Sequence, residues 1–290
     1  LLSWPQLTPP CKKLRCALFS RNGWKELESS NPFGTPGRMK LSHALMVAAF
    51  LVPMVFPAGL PAAEATPSQP GRIRVLVVTG GHGFEKPQFF QMFKDNPELT
   101  YEAVEHPNAH AKWRPEAAKS YDVMVLYDMW QPISEEAKAD LLALLAAGKG
   151  LVVLHHAIAS YQEWPEYAKI IGAKYYLAKT VVDGVEKPRS AYKHDVQFTI
   201  GIAPAPHPVT AGLKDFEIHD ETYKWFDVAK DVTPLLTATE PESGPVIGWA
   251  KTYAAARVVY IQLGHDHFAY ENPAYRQLLR QAIRWTARKD

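Results

Sequence analysis

The chain has 290 residues and a near-neutral balance of 32 Lys and Arg against 30 Asp and Glu. This length allows one large or two small domains, and the absence of a basic stripe argues against a nucleic-acid partner. Both cysteines, Cys11 and Cys16, lie in the first 38 residues, so the rest of the chain offers neither a thiol nucleophile nor a disulfide.

The segment 39–65 is built like a secretory signal peptide. It starts with Met and Lys, continues through an apolar core at 44–56, and ends in small residues with an A-x-A pattern at 63–65. The apolar core is shorter than the roughly 20 residues that a membrane-spanning helix needs. We expect cleavage near 63–65, no membrane attachment afterwards, and a periplasmic or secreted location; a retained N-terminal anchor is the alternative.

Residues 1–38 precede that signal and show no sustained hydrophobic periodicity. We interpret them as translated upstream sequence that is not native to the protein, with an unusual N-terminal extension as the alternative. Residues 66–71 form a short polar linker. Residues 1–65 hold seven basic and three acidic residues, which leaves a net charge of about −2 on the predicted domain at 72–288.

The predicted domain alternates strands and helices along its first half. Strands are predicted at 73–78, 99–105, 121–128 and 151–155, with helices at 86–95 and 134–147. Ser134 can cap the second helix and Gly148 can end it. From about 174 to 250 the pattern loosens into shorter segments, before a buried strand at 258–263 and an amphipathic helix at 272–287. Because the strands are apolar runs, the pattern predicts a parallel sheet with helices on both faces.

Polar side chains follow several of these strands at the point where each strand ends. They are His82 after the first strand, Asp128 after the third, His155 and His156 after the fourth, and His265 and His267 after the last. Since the carboxyl ends of parallel strands share one edge of a sheet, we expect a ligand site there. Adjacent residues on an extended segment point to opposite faces, so one histidine of the 155–156 pair should line the site and the other should pack behind it.

A second polar cluster, Asp220-Glu221 followed by Tyr223, can reach the same site from its own loop, although alone it is typical of a solvated acidic turn. Imidazole and carboxylate together form a ligand set for zinc and similar divalent metals. The candidate ligands are His82, His155, Glu221 and His265. The metal-free alternative uses histidine and carboxylate as general acid and base on a polyol or keto-sugar. No G-x-G-x-x-G, P-loop or G-x-S-x-G motif is present, so no nucleotide cofactor is predicted.

The order and spacing of several motifs resemble those of the trehalose-utilisation, or ThuA-like, family over about residues 72–288. The motifs are "GGHG", "GLVVLHHA", "HPVTAGL", "DETY", "PVIGWAKTYAAARVVYIQLGHD" and "AIRWTA". The resemblance implies an α/β, flavodoxin-like three-layer sandwich with a mostly parallel central sheet, related to class I glutamine amidotransferases. In that larger group a cysteine nucleophile occupies the turn where this chain has His155-His156, so amidotransfer is excluded and His155 is the expected pocket residue. The chain has "AAAR" at 254–257 where the family often has "GKGR".

The resulting hypothesis is an exported enzyme of carbohydrate catabolism that acts on a disaccharide, glycoside or keto-sugar derivative. Its predicted catalytic residues are His155, Glu221 and His265. Its predicted substrate-binding residues are His82, Asp128, His156, Tyr223 and His267. The expected partner is a small carbohydrate, and a homo-oligomer is compatible with the sequence. The alternative is a sugar-binding protein without turnover, whose fold has lost the cysteine nucleophile.

Overall fold

The structure of the protein, a computed structural model, describes residues 71–289. The predicted upstream segment, the signal peptide and nearly all of the linker therefore lie outside the described residues, as do both cysteines. Among the residues that are described, no helix is both long and apolar enough to span a membrane.

Strands and helices follow one another along residues 71–289. The strands are β1 (Ile73–Gly80), β2 (Leu99–Glu105), β3 (Val123–Asp128), β4 (Gly150–Leu154), β5 (Ala173–Lys174), β6 (Thr180–Val182), β7 (Val185–Lys187), β8 (Ala191–Ile202), β9 (Phe216–Lys224), β10 (Asp227–Val228), β11 (Thr233–Ala238), β12 (Val246–Tyr253) and β13 (Ala256–Ile261). The α-helices are α1 (Lys86–Lys94), α2 (Glu135–Ala146), α3 (Pro165–Ile171), α4 (His267–Glu271) and α5 (Pro273–Thr286). Short 3-10 helices occupy Asn108–Trp113, Ala117–Ser120, His155–Ala159 and Pro208–Thr210.

A large central sheet has the strand order β2-β1-β3-β4-β13-β12-β11-β8-β9. The strands from β2 to β13 in this order are parallel, and β12, β11, β8 and β9 continue the sheet in antiparallel fashion. The predicted strands that begin near 73, 121, 151 and 258 are thus the adjacent parallel strands β1, β3, β4 and β13. This part of the prediction is confirmed.

Helices cover both faces of the sheet, which confirms the predicted three-layer α/β sandwich. Along β1, Val75 and Val77 belong to one hydrophobic cluster, whereas Leu76 belongs to the other. Helices α1 and α5 pack in the first cluster, and α2 and α3 pack in the second. The predicted cap of α2 also forms, because Ser134 Oγ accepts a hydrogen bond from the backbone N–H of Ala137 at 3.1 Å.

The antiparallel half of the sheet comes from the region where the sequence pattern loosened. Strand β8 shows why: Val196, Phe198 and Ile200 are buried, while the residues between them are exposed. A strand with one solvated face alternates in polarity and lacks the continuous apolar run that marks the buried parallel strands. Sequence inspection therefore found short segments there but did not assign them to the sheet.

The sheet brings its edge strand β9 close to the end of the central strand β4. Strand β9 is five positions from β4 in the strand order. In a flat sheet, that separation would be about 24 Å at the usual strand spacing. However, a carboxylate oxygen of Glu221 on β9 lies 3.0 Å from the ring of His155, directly after β4. Irregular pairing in β11 and between Lys193 and Val196 of β8 accompanies this curvature, as β-bulges commonly do.

Candidate functional site

The chain turns sharply at the end of β4. His155 has a φ of +49°, in the left-handed region that few non-glycine residues adopt, and it begins a 3-10 turn. The hydroxyl of Tyr260 donates to the carbonyl of His155 at 3.1 Å, which secures the turn. The expectation of an extended segment through His155 and His156 is therefore wrong, and both residues are buried.

The hydrogen bonds of His155 determine which of its ring nitrogens faces Glu221. Nδ1 lies 2.7 Å from the carbonyl oxygen of Gln262, and because a carbonyl only accepts, Nδ1 carries the proton. Nε2 then faces a group of polar atoms. These are Tyr223 Oη at 2.9 Å, Glu221 Oε2 at 3.0 Å and His265 Nδ1 at 3.3 Å.

Glu221 is the only carboxylate in this group, and both of its oxygens contact imidazoles. His155 and His265 approach Oε2 at 3.0 and 3.5 Å, and His194 approaches Oε1 at 3.2 Å. Burial alone would raise the pKa of Glu221, but the contacts with His155 and His265 hold it well below its usual range. The contact with Glu221 in turn raises the pKa of His265.

Asp220 positions the loop that carries His265. This carboxylate is buried, and it accepts hydrogen bonds from the backbone N–H groups of Gly264 at 2.8 Å and His265 at 2.9 Å. Gly264 has a φ of +113°, and a Cβ there would lie 2.5 Å from the hydroxyl of Tyr275. Glycine is therefore required at position 264. The paired carboxylates differ in what they contact: Asp220 accepts backbone N–H groups, and Glu221 contacts imidazoles.

A cavity of about 270 Å³ lies over these groups. Glu221 and Tyr223 contribute to its wall, together with the stacked rings of His82 and His156, whose centroids are 4.4 Å apart. Among the described residues, none makes a well-aligned hydrogen bond to either ring nitrogen of His156. Burial lowers the pKa of both His82 and His156, so both rings are neutral at pH 7.

The structure brings together most of the predicted site residues, with two differences in their expected positions. The residues that meet are His82, His155, His156, Glu221, Tyr223 and His265. His156 lines the cavity, whereas His155, the pocket residue that the family resemblance implied, is not among the lining residues and contacts Glu221 and Tyr223. His82 does not belong to the group of close metal-binding atoms formed by His155, Glu221 and His265.

Asp128 and His267 lie outside the cavity, contrary to the prediction that they contact substrate. Asp128 is fully buried, and its Oδ2 contacts His106 Nε2 at 3.1 Å and the hydroxyl of Tyr161 at 3.2 Å. That hydroxyl also lies 3.2 Å from His110 Nε2. The side chain of His267 contacts Glu85 at 2.9 Å. Asp128 ends strand β3, whereas His267 is already the first residue of helix α4, beyond the strand end.

The atoms of His155, Glu221 and His265 suit a divalent metal ion. One donor atom from each lies within 4.8 Å of the other two. Metal–ligand distances near 2.05 Å in a tetrahedral zinc site place donor atoms about 3.3 Å apart. The 3.3 Å between His155 Nε2 and His265 Nδ1 agrees with this geometry. The carbonyl contact at Nδ1 of His155 is the arrangement that commonly orients a metal-binding imidazole.

Sequence inspection missed four residues that surround the site. Tyr175, Arg189, Tyr192 and His194 line the cavity. All lie in the region of loosened pattern, and no local motif distinguishes them. A larger cavity of about 850 Å³, lined by residues such as Gln131, Lys174 and Thr180, has no histidine among its described lining residues. The smaller cavity is therefore the candidate site.

Comparisons with solved structures identify similar folds. A protein described as ThuA-like from Parabacteroides merdae ATCC 43184 is 19% identical with a TM-score of 0.62, over 74% of this chain and 90% of that one. A ThuA-like protein of Bacteroides uniformis ATCC 8492 is 20% identical with a TM-score of 0.58, over 79% and 95%. A protein of Salmonella typhimurium LT2, described as cytoplasmic, is 11% identical with a TM-score of 0.52, over 74% and 99%.

These identities establish the fold and not the activity. No curated protein matches the chain significantly. The model of the ThuA family, described as trehalose utilisation, matches residues 74–286, which is most of the chain and the whole of the sandwich that forms the site. The chain therefore belongs to the ThuA (trehalose utilisation) family.

Proposed function

We propose that the protein is an exported enzyme that acts on a small carbohydrate derivative with the help of a divalent metal ion, zinc or a similar transition metal. His155, Glu221 and His265 would hold the ion. The observation that carries this proposal is the short contact between His155 Nε2 and Glu221 Oε2, 3.0 Å apart. The contact of Nδ1 with Gln262 turns Nε2 of His155 toward Glu221, and an imidazole nitrogen beside a carboxylate oxygen is a donor pair that a divalent transition metal binds.

The chemistry of a bound ion fits a substrate with oxygen donors. Such an ion polarises a carbonyl or hydroxyl oxygen, or lowers the pKa of a water molecule. The protein's own residues would orient the substrate: Tyr223 beside His155, and the neutral rings of His82 and His156 on the opposite part of the wall. Without a metal, His155, Glu221 and His265 would act as general acid and base, which is the second form of the same proposal.

The cavity supports a sugar of about monosaccharide size. Its volume of about 270 Å³ is near the lower end of the range for small-molecule sites. The wall combines three tyrosines, Tyr175, Tyr192 and Tyr223, with imidazoles and one carboxylate. Aromatic faces pack against the C–H groups of a sugar ring, and polar side chains bind its hydroxyls, so this composition favours a polyol or keto-sugar. A disaccharide or glycoside would place its second ring outside the cavity.

Elemental analysis of the full chain tests the metal centre directly. After chelation and reloading, we expect about one zinc per native chain and a large loss in His265→Ala and Glu221→Gln, because each substitution removes a donor. His219→Ala is the matched control, since His219 is on the same strand as Glu221 but contacts Asp195 and Phe268. Equal zinc content in all four proteins would contradict the centre.

A panel of sugars and keto-sugars then separates the forms of the proposal. Turnover that disappears on chelation and returns with zinc supports metal-assisted catalysis. Turnover that survives exhaustive chelation supports the acid–base form. Binding without turnover in the zinc-loaded chain supports the sugar-binding alternative. Export has its own test, because N-terminal sequencing of the protein from its native host should find a mature start near 63–65.

A further inference from the structure

A positively charged side chain without an ion-pair partner among residues 71–289 lies at the wall of the cavity. Arg189, in the segment between β7 and β8, is exposed and contributes to the cavity lining. Within residues 71–289, no hydrogen bond or ion pair joins its guanidinium to another side chain or to the backbone. A guanidinium offers five donors in a planar fork and remains charged at all physiological pH values.

The carboxylate of the cavity cannot serve as that counter-charge. Glu221 is the single acidic residue among the described lining residues, and both of its oxygens already contact imidazoles, from His155, His265 and His194. Arg189 is thus the single Lys or Arg among the described lining residues, and the single carboxylate there is engaged by imidazoles. A divalent ion bound at Glu221 would make the centre positive as well, because one carboxylate neutralises only part of its charge.

The backbone beside Arg189 is held firmly in place. The hydroxyl of Ser190 donates to the carbonyl of Trp225 at 2.9 Å and accepts from the N–H of Tyr176 at 2.9 Å. The N–H of Ser190 donates to the carbonyl of Tyr176, also at 2.9 Å. Arg189 is thus attached to an anchored residue, and this arrangement keeps the guanidinium near the cavity without fixing it to another group.

We infer that Arg189 selects sugar derivatives that carry an anionic group, a carboxylate or a phosphate, over neutral sugars of the same size. The inference rests on the proposed function, since it takes the cavity to be the sugar site. A guanidinium pairs with either anion through two parallel hydrogen bonds, which makes the contact directional as well as electrostatic. The ring would occupy the cavity beside Tyr175 and Tyr223, whose own rings pack edge to face with centroids 5.3 Å apart, and the anionic group would point toward Arg189.

Calorimetric titration of the full, zinc-loaded chain with three probes tests this inference. The probes are gluconate, glucose 6-phosphate and glucose. We expect at least one of the two anions to bind about tenfold or more tightly than glucose, since a hydrogen-bonded charge pair commonly contributes that much. The preference should decrease as salt is added, because Arg189 is exposed and its charge is screened.

Two substitutions at Arg189 and one elsewhere isolate the effect. Arg189→Gln should bind the anion and glucose about equally, whereas Arg189→Lys should retain part of the preference because it keeps the charge but not the fork. The matched control is Arg280→Gln, an exposed arginine on α5 beside a different cavity, which should bind like the native chain.

The results distinguish a carboxylate from a phosphate as the preferred anionic group. They also distinguish the inference about Arg189 from the proposed metal centre. A stronger response to gluconate or to glucose 6-phosphate identifies the anion, and either result supports the inference. A native chain that binds glucose as tightly as both anions, or that binds none of the three, overturns it, as does an unchanged preference in Arg189→Gln. Zinc content, measured on the same samples, should be unaffected by Arg189→Gln. A native chain without zinc would therefore reject the metal centre, independently of the binding result.

Discussion

Asp220 illustrates at the residue scale how much of the site depends on a side chain that does not face the cavity. Its carboxylate accepts the backbone N–H groups of Glu221, Gly264 and His265 at 2.8 to 2.9 Å. These bonds connect β9 to the loop after β13, which brings His265 to Glu221. Asp220 is therefore a positioning residue, adjacent in sequence to a proposed metal ligand but different in function.

Replacement of Asp220 with asparagine should weaken zinc binding without removing a ligand. The amide NH₂ cannot accept, so one of the three backbone N–H groups is left unpaired. We expect zinc affinity to decrease about ten- to a hundredfold. The free energy of unfolding should decrease by about 1–3 kcal/mol. Competition with a chromophoric chelator and urea unfolding measure the two effects.

The control for this experiment is Asp195→Asn, because the side chain of Asp195 is 80% exposed. It should leave both quantities near their native values. An Asp220→Asn protein that binds zinc as tightly as the native chain would show that the loop is positioned by other contacts.

At the element scale, the turn between β12 and β13 contains the sequence "AAAR" at 254–257, where the family often has "GKGR". Ala254 has a φ of +49°, a left-handed conformation in which a Cβ is unfavourable. The two strands nevertheless pair in regular antiparallel register up to Tyr253 and Ala256. The sheet thus imposes the turn, and alanine adopts a conformation that suits glycine better.

Ala254→Gly should stabilise the protein by about 0.5–1 kcal/mol, because glycine removes the Cβ strain at positive φ. The neighbouring Ala255→Gly is the matched control, since the φ of Ala255 is not positive. There, added flexibility of the unfolded chain should lower stability slightly. Thermal and urea unfolding measure both variants. A destabilised Ala254→Gly protein would mean that the methyl group makes a packing contribution larger than the strain.

At the scale of the whole molecule, a second buried polar cluster beneath the sheet should make stability depend on pH. His110 contacts the hydroxyl of Tyr161, with His106 beside it and Asp128 behind both. Burial, with a smaller contribution from His106, lowers the pKa of His110 to about 4. In the unfolded chain, a histidine titrates near pH 6.5. Between these values the unfolded state binds the additional proton, so stability decreases as pH falls from about 6.5 to 4.

His110→Gln should therefore make the decrease in urea midpoint between about pH 6.5 and 4 shallower than in the native protein. A chelator keeps metal release from contributing to the measurement. His219→Gln, a substitution at a histidine outside this cluster, should retain the native slope. If the native slope persists in His110→Gln, the acid sensitivity arises from other groups.

Much of the fold follows from local pattern. Apolar runs in β1, β3, β4 and β13 indicate a buried parallel sheet because only strands covered on both faces have that composition. The capped helix α2 follows from Ser134 at its start, acidic residues in its first turn and Gly148 beyond its end. The histidines after β4 and β13, and the acidic pair at 220–221, could also be identified, because polar side chains at strand ends are recognisable without knowledge of distant contacts.

The sequence by itself determined the α/β class, the parallel strands and most of the residue types at the site. Only the tertiary structure decided which of them meet. The curvature of the antiparallel half brings Glu221 and His194 to His155 and His265. After the left-handed residue at 155, His156 and not His155 lines the cavity, and Asp128 contacts His106 away from it. The reason is physical: local periodicity records the burial of each element, whereas sheet curvature and turn geometry arise from contacts between residues far apart in the chain.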